Sequence, residues 1–216
     1  MSNANSIQQE ELHQIKQMME RSSRFISLSG LSGIAAGTCA LVGAYFASNV
    51  INKNYNGIIQ SIDCRLTNHS LTLTDLLRNS LMQIAIFTFL SALITSFIFT
   101  FLRSKHTNVS VWGTTSQRLF VNISIPLIVG GFFLLKLILI GAVGLVAPTC
   151  LIFYGLALVN ASKYTLIEIK YLGYSQLIVG IINLLIIEKG ILLWAVGFGG
   201  LHIIYGLIMW LKYERQ

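Results

Sequence analysis

Charge is what this chain has least of. Only 11% of its 216 residues are Asp, Glu, Lys or Arg, against about 25% in a soluble domain. A surface so poor in charge cannot face water on all sides, and the lipid bilayer is the expected solvent. Proline is nearly missing, with Pro126 and Pro148 alone, so little interrupts long helices. Three cysteines, Cys39, Cys64 and Cys150, give no disulfide framework. Aspartate is confined to Asp63 and Asp75, outside every apolar run, which excludes a paired-Asp intramembrane protease. The four histidines, His13, His69, His106 and His202, are scattered, with no zinc spacing. Nucleophile-elbow, phosphate-loop and dinucleotide fingerprints are missing too. The sequence therefore predicts neither an enzyme nor a cofactor or metal site.

What is present is apolar length. Hydrophobic residues reach 54% and mean hydropathy is +0.70. A membrane-spanning helix needs about 20 mainly apolar residues, and six stretches qualify: 25–47, 81–102, 119–139, 140–160, 171–187 and 191–211. Unbroken runs such as IAIFTFLSALITSFIFTFL exclude the alternation of a β-barrel. The expected fold is an all-α, six-span bundle. A polar cytoplasmic tail occupies 1–24, and an outer loop covers 48–80. The third turn runs through ILIGAVGLVA without a polar residue, so a five-span reading stays open there. The polar tail carries no cleavage box after the first apolar run, so that run is expected to remain as a span. Leu12, Ile15 and Met19 on the tail fit a membrane-surface or partner helix, or a plain helical lead-in to the first span.

The net charge is +7, yet Lys and Arg are spread thinly over loops and helix ends. That pattern fits topology signals and anionic-lipid contacts, and no nucleic acid is expected. Placing both termini in the cytoplasm puts Lys16, Arg21, Arg24, Arg103, Lys105, Arg118, Lys163, Lys170, Lys212 and Arg215 inside, and Lys53, Arg65, Arg78 and Lys189 outside. Thr72–Asp75, Thr114–Gln117 and Thr165–Glu168 each fit a capping box before a span, which would start the second helix near Thr74.

Two stretches resemble each other. Gly30, Gly33, Ala36, Thr38-Cys39 and Asn49 align without gaps on Gly141, Gly144, Ala147, Thr149-Cys150 and Asn160. Thr72, Leu73, Asp75 and Gln83 align on Thr165, Leu166, Glu168 and Gln176, and Gly130-Gly131 on Gly199-Gly200. The order pairs spans one with four, two with five, three with six. Three spans per half would make the halves oppositely oriented, the inverted-repeat plan of many transporters. That plan predicts a midplane site at Thr38, Cys39, Pro148, Thr149 and Cys150, where glycine or proline breaks helices. His202, an ionisable group inside the sixth span, joins it. A histidine bonded to a neighbouring helix is the plainer reading, and Asn183 is a weaker candidate. Gly33 and Gly37, with Ala36 and Ala40, form small-residue stripes expected to pack helices closely; a hydroxyl-lined path along the same span is the functional alternative. Pro126 and Pro148 would kink their spans, or Pro148 could sit in a first helical turn. Lys136 is expected to snorkel.

The run Arg24-Phe-Ile-Ser-Leu-Ser-Gly-Leu-Ser-Gly33, after Met18-Met-Glu-Arg21, resembles the N-terminal signature of an uncharacterised family of bacterial inner-membrane proteins of the Bacteroidetes type. The resemblance implies a multi-pass protein of the bacterial inner membrane and brings no functional residues with it. Two functions fit: a small transporter or channel with a midplane site between repeats, or a non-transporting scaffold or sensor acting through a membrane or cytoplasmic partner. Homo-oligomers fit either.

Overall fold

The computed structural model describes residues 29–66, 78–107 and 113–215. Among these the chain is helical and without strands. Its helices are α1 (Gly30–Leu66), α2 (Ser80–Thr107), α3 (Thr114–Leu139), α4 (Val146–Ala161) and α5 (Glu168–Leu185). A last rod follows, made of α6 (Gly190–Trp194), a π-helical segment (Ala195–Leu201) and α7 (His202–Tyr213). Five segments are long and apolar enough to cross a membrane: Gly30–Lys53, Ser80–Lys105, Thr115–Leu139, Val143–Ala161 and Ile187–Tyr213. The protein is an all-α polytopic membrane protein.

The fifth predicted span is not among those five. In α5 the residues Glu168, Lys170, Gln176 and Asn183 dilute the apolar content. Its packing explains them. α5 runs antiparallel to the last rod, from Glu168 beside Lys212 at one end to Asn183 beside Gly190 at the other. At 1.5 Å per residue its 18 residues reach about 27 Å, close to the hydrocarbon thickness of about 30 Å. The six elements thus alternate in direction, and a polar face is tolerated on α5 because it is turned onto a neighbour.

Spans three and four are separate. Gly141 has φ 78°, a conformation glycine adopts without strain. Ala142 N–H donates to Leu137 O at 2.9 Å and Gly141 N–H to Ile138 O at 3.1 Å, the paired bonds of a Schellman stop. One glycine ends α3 where no polar residue marks a turn. Pro148 then falls in the first turn of α4, where its missing N–H is harmless, and it does not kink the span. Lys136 occupies the last turn of α3 and is exposed, as snorkelling requires.

The expected outer loop needs correcting. Residues 48–66 continue α1 as helix, so α1 extends about 20 Å past Lys53. Tyr55, Ile58, Ile59, Ile62 and Leu66 recur at helical spacing there, a signal that the surrounding Asn, Lys and Gly residues obscure. The capping boxes need correcting as well. Thr72–Asp75 and the proposed start at Thr74 lie outside the described residues, and Asn79 caps α2 instead, its Oδ1 accepting from Leu81 N–H at 2.9 Å. At α3 the cap is Gly113, without a side-chain bond. At α5, Thr165 donates to Ala161 O and Glu168 is drawn to Lys212 and Tyr213, so neither closes a box.

Packing pairs α1 with α2, α1 with the last rod, the last rod with α5, α5 with α4, and α4 with α3. The crossing of α1 and α7 is close. A Cβ on Gly206 would lie 2.6 Å from both Gly30 O and Ile34 N, and one on Gly37 2.8 Å from Gly199 O. Gly33 belongs to the same face, its added Cβ falling 3.2 Å from Gly206 Cα. The stripe of Ser32, Ala36 and Ala40 leads toward α2, where Ser96 Oγ donates to Ser32 O at 3.4 Å. Ser32 and Ala40 are buried and Ala36 is half-buried.

At one end, Glu214 accepts from Gly30 N–H at 2.6 Å and Ser29 Oγ–H at 3.1 Å, and pairs with Arg103. The first, second and last spans are joined there. The start of α1, the end of α2 and the end of α7 therefore share one face of the bundle.

A buried polar seam as the candidate functional site

The residues predicted to form a midplane site do not meet. Thr38 is exposed and bonds back to Ala35 O of its own helix at 2.8 Å. Cys39 lies 3.8 Å from Thr95 Oγ1 on α2. Pro148 and Thr149 are buried and Cys150 is half-buried, all on α4. α1 and α4 are not among the helix pairs packed face to face. Thr38 and Thr149, matched in the repeat, thus face different surroundings.

His202 is where polar groups converge. It is 7% exposed. Its Nε2 lies 2.8 Å from the Tyr154 hydroxyl on α4, and its Nδ1 3.2 Å from Gly197 O. Gln176 on α5 is fully buried and donates from Nε2 to the same carbonyl at 2.8 Å. A carbonyl only accepts, so Nδ1 carries the ring proton and Nε2 accepts from Tyr154. The 3.4 Å between Gln176 Nε2 and His202 Nδ1 separates two donors that share one acceptor. Gly197 belongs to the π segment, a local departure from α-helical bonding that recurs at functional sites. A Cβ at Gly197 would run into Leu151 Cδ2 and stand 2.7 Å from Gln176 Oε1, so any larger residue must displace those side-chain ends. Aromatic rings enclose the site: Phe198 stacks on His202 with centroids 5.9 Å apart, and Trp194 and Tyr154 lie 4.9 and 5.0 Å from Phe198.

These groups belong to a longer seam between α5 and the last rod. At one end Glu168 Oε1 accepts from Lys212 at 2.5 Å and from the Tyr213 hydroxyl at 2.9 Å. Tyr205 follows, between His202 and Lys212 on the last rod. The Tyr154–His202–Gln176 cluster comes next, and Asn183, donating to Gly190 O at 3.2 Å, closes the far end. Four buried atoms on this seam have no hydrogen-bond partner among the described residues: Glu168 Oε2, Tyr205 Oη, Gln176 Oε1 and Asn183 Oδ1. Such atoms are costly in a membrane interior unless water or a ligand satisfies them. Their alignment along one seam is the unusual feature of the fold.

Sequence reasoning singled out His202 and mentioned Asn183, and it used Gln176 only as a match in the repeat. It placed Glu168 only in a capping box and a repeat match, and it missed Tyr154 and Tyr205. Gln176 and Asn183 stand seven residues apart, two turns on one face of α5, and that spacing was the available signal.

A second feature, a groove of about 430 Å³ between α3 and α4, is open and mainly apolar, lined by Pro126, Val129, Phe153 and Leu156 with Lys163 at one end. Among the described residues no group of three His, Cys, Asp or Glu side chains could hold a metal ion. No family model, curated protein or solved structure matches this chain.

Proposed function

We propose that this protein is a small transporter of the bacterial inner membrane, and that its path follows the α5–last-rod seam through His202. The observation that carries this reading is the line of four unpartnered buried polar atoms running the length of that seam. A bundle built only to hold itself together would satisfy or replace such groups, since each costs about 1–3 kcal/mol when left unpaired. The path lies away from Thr38 and Thr149, which the sequence favoured.

An inverted 3+3 repeat is part of the proposal. Helix pairing supports it: α1 packs on α2 as α4 packs on α5, and α3 packs on α4 as the last rod packs on α1. Gly130 opposes Phe153 while Gly199 opposes Leu41. Under the Gly30–Gly141 alignment those partners fall one residue apart. The pattern is incomplete, because α5 packs on the last rod whereas α2 and α3 are not among the packed pairs.

Reconstituted liposomes test the path. Candidate solutes and ions are screened for uptake, then the active one is repeated with Gln176→Leu and Tyr154→Phe. Uptake should fall by about tenfold or more, as expected when a buried pairing worth some 1.4 kcal/mol is lost. A wild-type rate in both variants would remove the seam from the path. Orientation is tested at Cys64. With both termini cytoplasmic, an impermeant thiol reagent should label Cys64 in intact spheroplasts, and Cys64→Ser should not label. Labelling only after lysis would reverse the topology.

The scaffold reading retains one observation in its favour. α2 and α3 present broad apolar outer faces, with Phe87, Phe97, Phe120 and Phe132 more than half exposed. A partner span or a second copy could pack there. Deleting residues 2–20 and assaying partner recovery tests the tail-mediated version of that reading, which unchanged recovery would exclude.

A further inference from the structure

We infer that the seam is a proton-loading path with a single door, and that His202 is where the proton stops. The inference rests on the transport reading and sharpens it, naming the proton as the coupling ion and a carrier, not a channel, as the device.

The path begins at Glu168. Its Oε1 is occupied by Lys212 and Tyr213, and its Oε2 is buried without a partner among the described residues. Tyr205 lies next, one turn past His202 on the last rod, its hydroxyl buried and without a partner among the described residues. Unpartnered buried oxygens of this kind are those that ordered waters bridge. Tyr154 then holds His202 Nε2 by a direct bond of 2.8 Å. Glutamate, tyrosine and histidine can each accept a proton on one side and release one on the other.

The transfer balances as follows. A hydronium at the rim gives its proton to the Glu168 carboxylate and leaves as water, and rotation of the carboxyl group carries that proton to the buried Oε2 side. The proton passes by way of Tyr205 and bridging water to Tyr154 Oη. Tyr154 releases its own hydrogen to His202 Nε2 and keeps the incoming one. Every carrier returns to its starting state except His202, which becomes imidazolium with Nε2–H on Tyr154 Oη and Nδ1–H on Gly197 O. One proton has entered and no electrons have moved.

The far side of the ring is closed. Nδ1–H donates to Gly197 O, and Gln176 Nε2–H fills the same carbonyl. A backbone carbonyl takes no proton onward. A proton on His202 therefore leaves by the way it came, or else the π segment must first rearrange and turn Gly197 O aside. Net transport then needs a conformational step, which is the condition for coupling to a second solute. Among the described residues, the elements packed around the site supply no competing charge. α4 brings Tyr154, α5 brings Gln176, the last rod brings Phe198 and Tyr205, and α1 approaches with Gly33 and Gly37. Glu168 and Lys212 at the rim are the charged groups on the path.

The test follows His202 in full-length protein in nanodiscs, with histidine labelled by heavy nitrogen and the signal assigned with His202→Gln. Imidazolium should appear as the medium is taken from about pH 8 to pH 4, the range a histidine can cross. Tyr154→Phe and Tyr205→Phe keep the ring shapes. They should slow proton arrival by about 10²-fold, the usual loss when a positioned proton-transfer group is removed, and Tyr205→Phe, which spares the bonds to His202, should leave the final extent of protonation unchanged. In liposomes clamped by a potassium ionophore, the wild-type protein should pass no more protons than empty vesicles. A His202 that stays neutral throughout overturns the inference. So does unchanged loading in both tyrosine variants, or a passive proton current abolished by Glu168→Gln, which would make the seam a channel. Intact loading with no solute uptake in any screen would leave the proton site standing and sink the transport reading alone.

Discussion

Gly206→Leu is expected to lose about 3 kcal/mol of stability, the upper end for overpacking, and to lower the melting temperature in detergent by roughly 6–12 °C. The reason is what the new side chain meets. At Gly206 a Cβ would sit 2.6 Å from Gly30 O and Ile34 N, which are backbone atoms. A flexible side chain could swing away, but a helix backbone cannot, so α1 and α7 must separate along their whole crossing. The loss then spreads to the contacts at Gly33, Gly37 and Gly199, which depend on the same approach. In lipid there is little hydrophobic force to press the helices together again, since the tails are as apolar as the side chains. Gly131→Ala is the control. Nothing lies within 4 Å of a Cβ there, and alanine favours helix by about 0.5–1 kcal/mol over glycine, so this variant should melt at or above the wild-type temperature. Thermal unfolding of both, followed by size-exclusion profile, decides the matter. A Gly206→Leu protein that melts with the wild type would show that α1 and α7 do not cross where described.

The glycine crossing also shows how legible this chain was. Small residues at Gly33 and Gly37 announced a close-packed face on the first span, and apolar length announced the spans, because lipid imposes both rules on sequence directly. Partner choice is another matter. Nothing in Gly33 or Gly37 says that Gly206 and Gly199 lie opposite, since small-residue stripes are interchangeable in sequence and distinguished only by assembly. The same limit hid the seam. His202 stood out as a charge-capable group in the middle of an apolar run. Tyr154 and Tyr205 did not, because tyrosine in a span is ordinary until its hydroxyl is seen to point inward. Polar residues on α5 keep it out of the five segments apolar enough to cross a membrane by composition, although the packing that tolerates them is what makes the seam. The loop after α1 was misread for the opposite reason: scattered Asn and Lys outweighed a helical spacing of Tyr55, Ile58, Ile62 and Leu66. The capping box failed at α5 because local pattern competes with tertiary partners. Glu168 had a better one in Lys212.

Arg103→Met should cost about 3 kcal/mol, near the low end for breaking a buried ion pair by removing one partner. The low end applies because the Arg103 and Glu214 side chains keep 15% and 14% of their exposure. Removing Arg103 leaves the Glu214 carboxylate with Ser29 Oγ–H and Gly30 N–H as its donors among the described residues. The double variant Arg103→Met with Glu214→Met should be less damaging than the sum of the two single changes, since it leaves no unpaired charge. A loss within about 0.5 kcal/mol of wild type for Arg103→Met would class the pair with ordinary surface ion pairs. The measurement bears on mechanism as well. The last rod is fastened twice at this end, to α5 through Lys212 and Tyr213 on Glu168, and to α1 and α2 through Glu214. At the far end its polar tie to α5 is the single bond from Asn183 to Gly190 O, and the π segment lies between the two ends. A rod pinned at one end and weakly tied at the other swings about the pinned end. If Gly197 O must turn aside to release His202, the motion belongs at the Asn183 end, and loosening the pin with Arg103→Met should impair solute uptake more than it impairs proton loading at His202. Equal losses in both would place the pivot elsewhere.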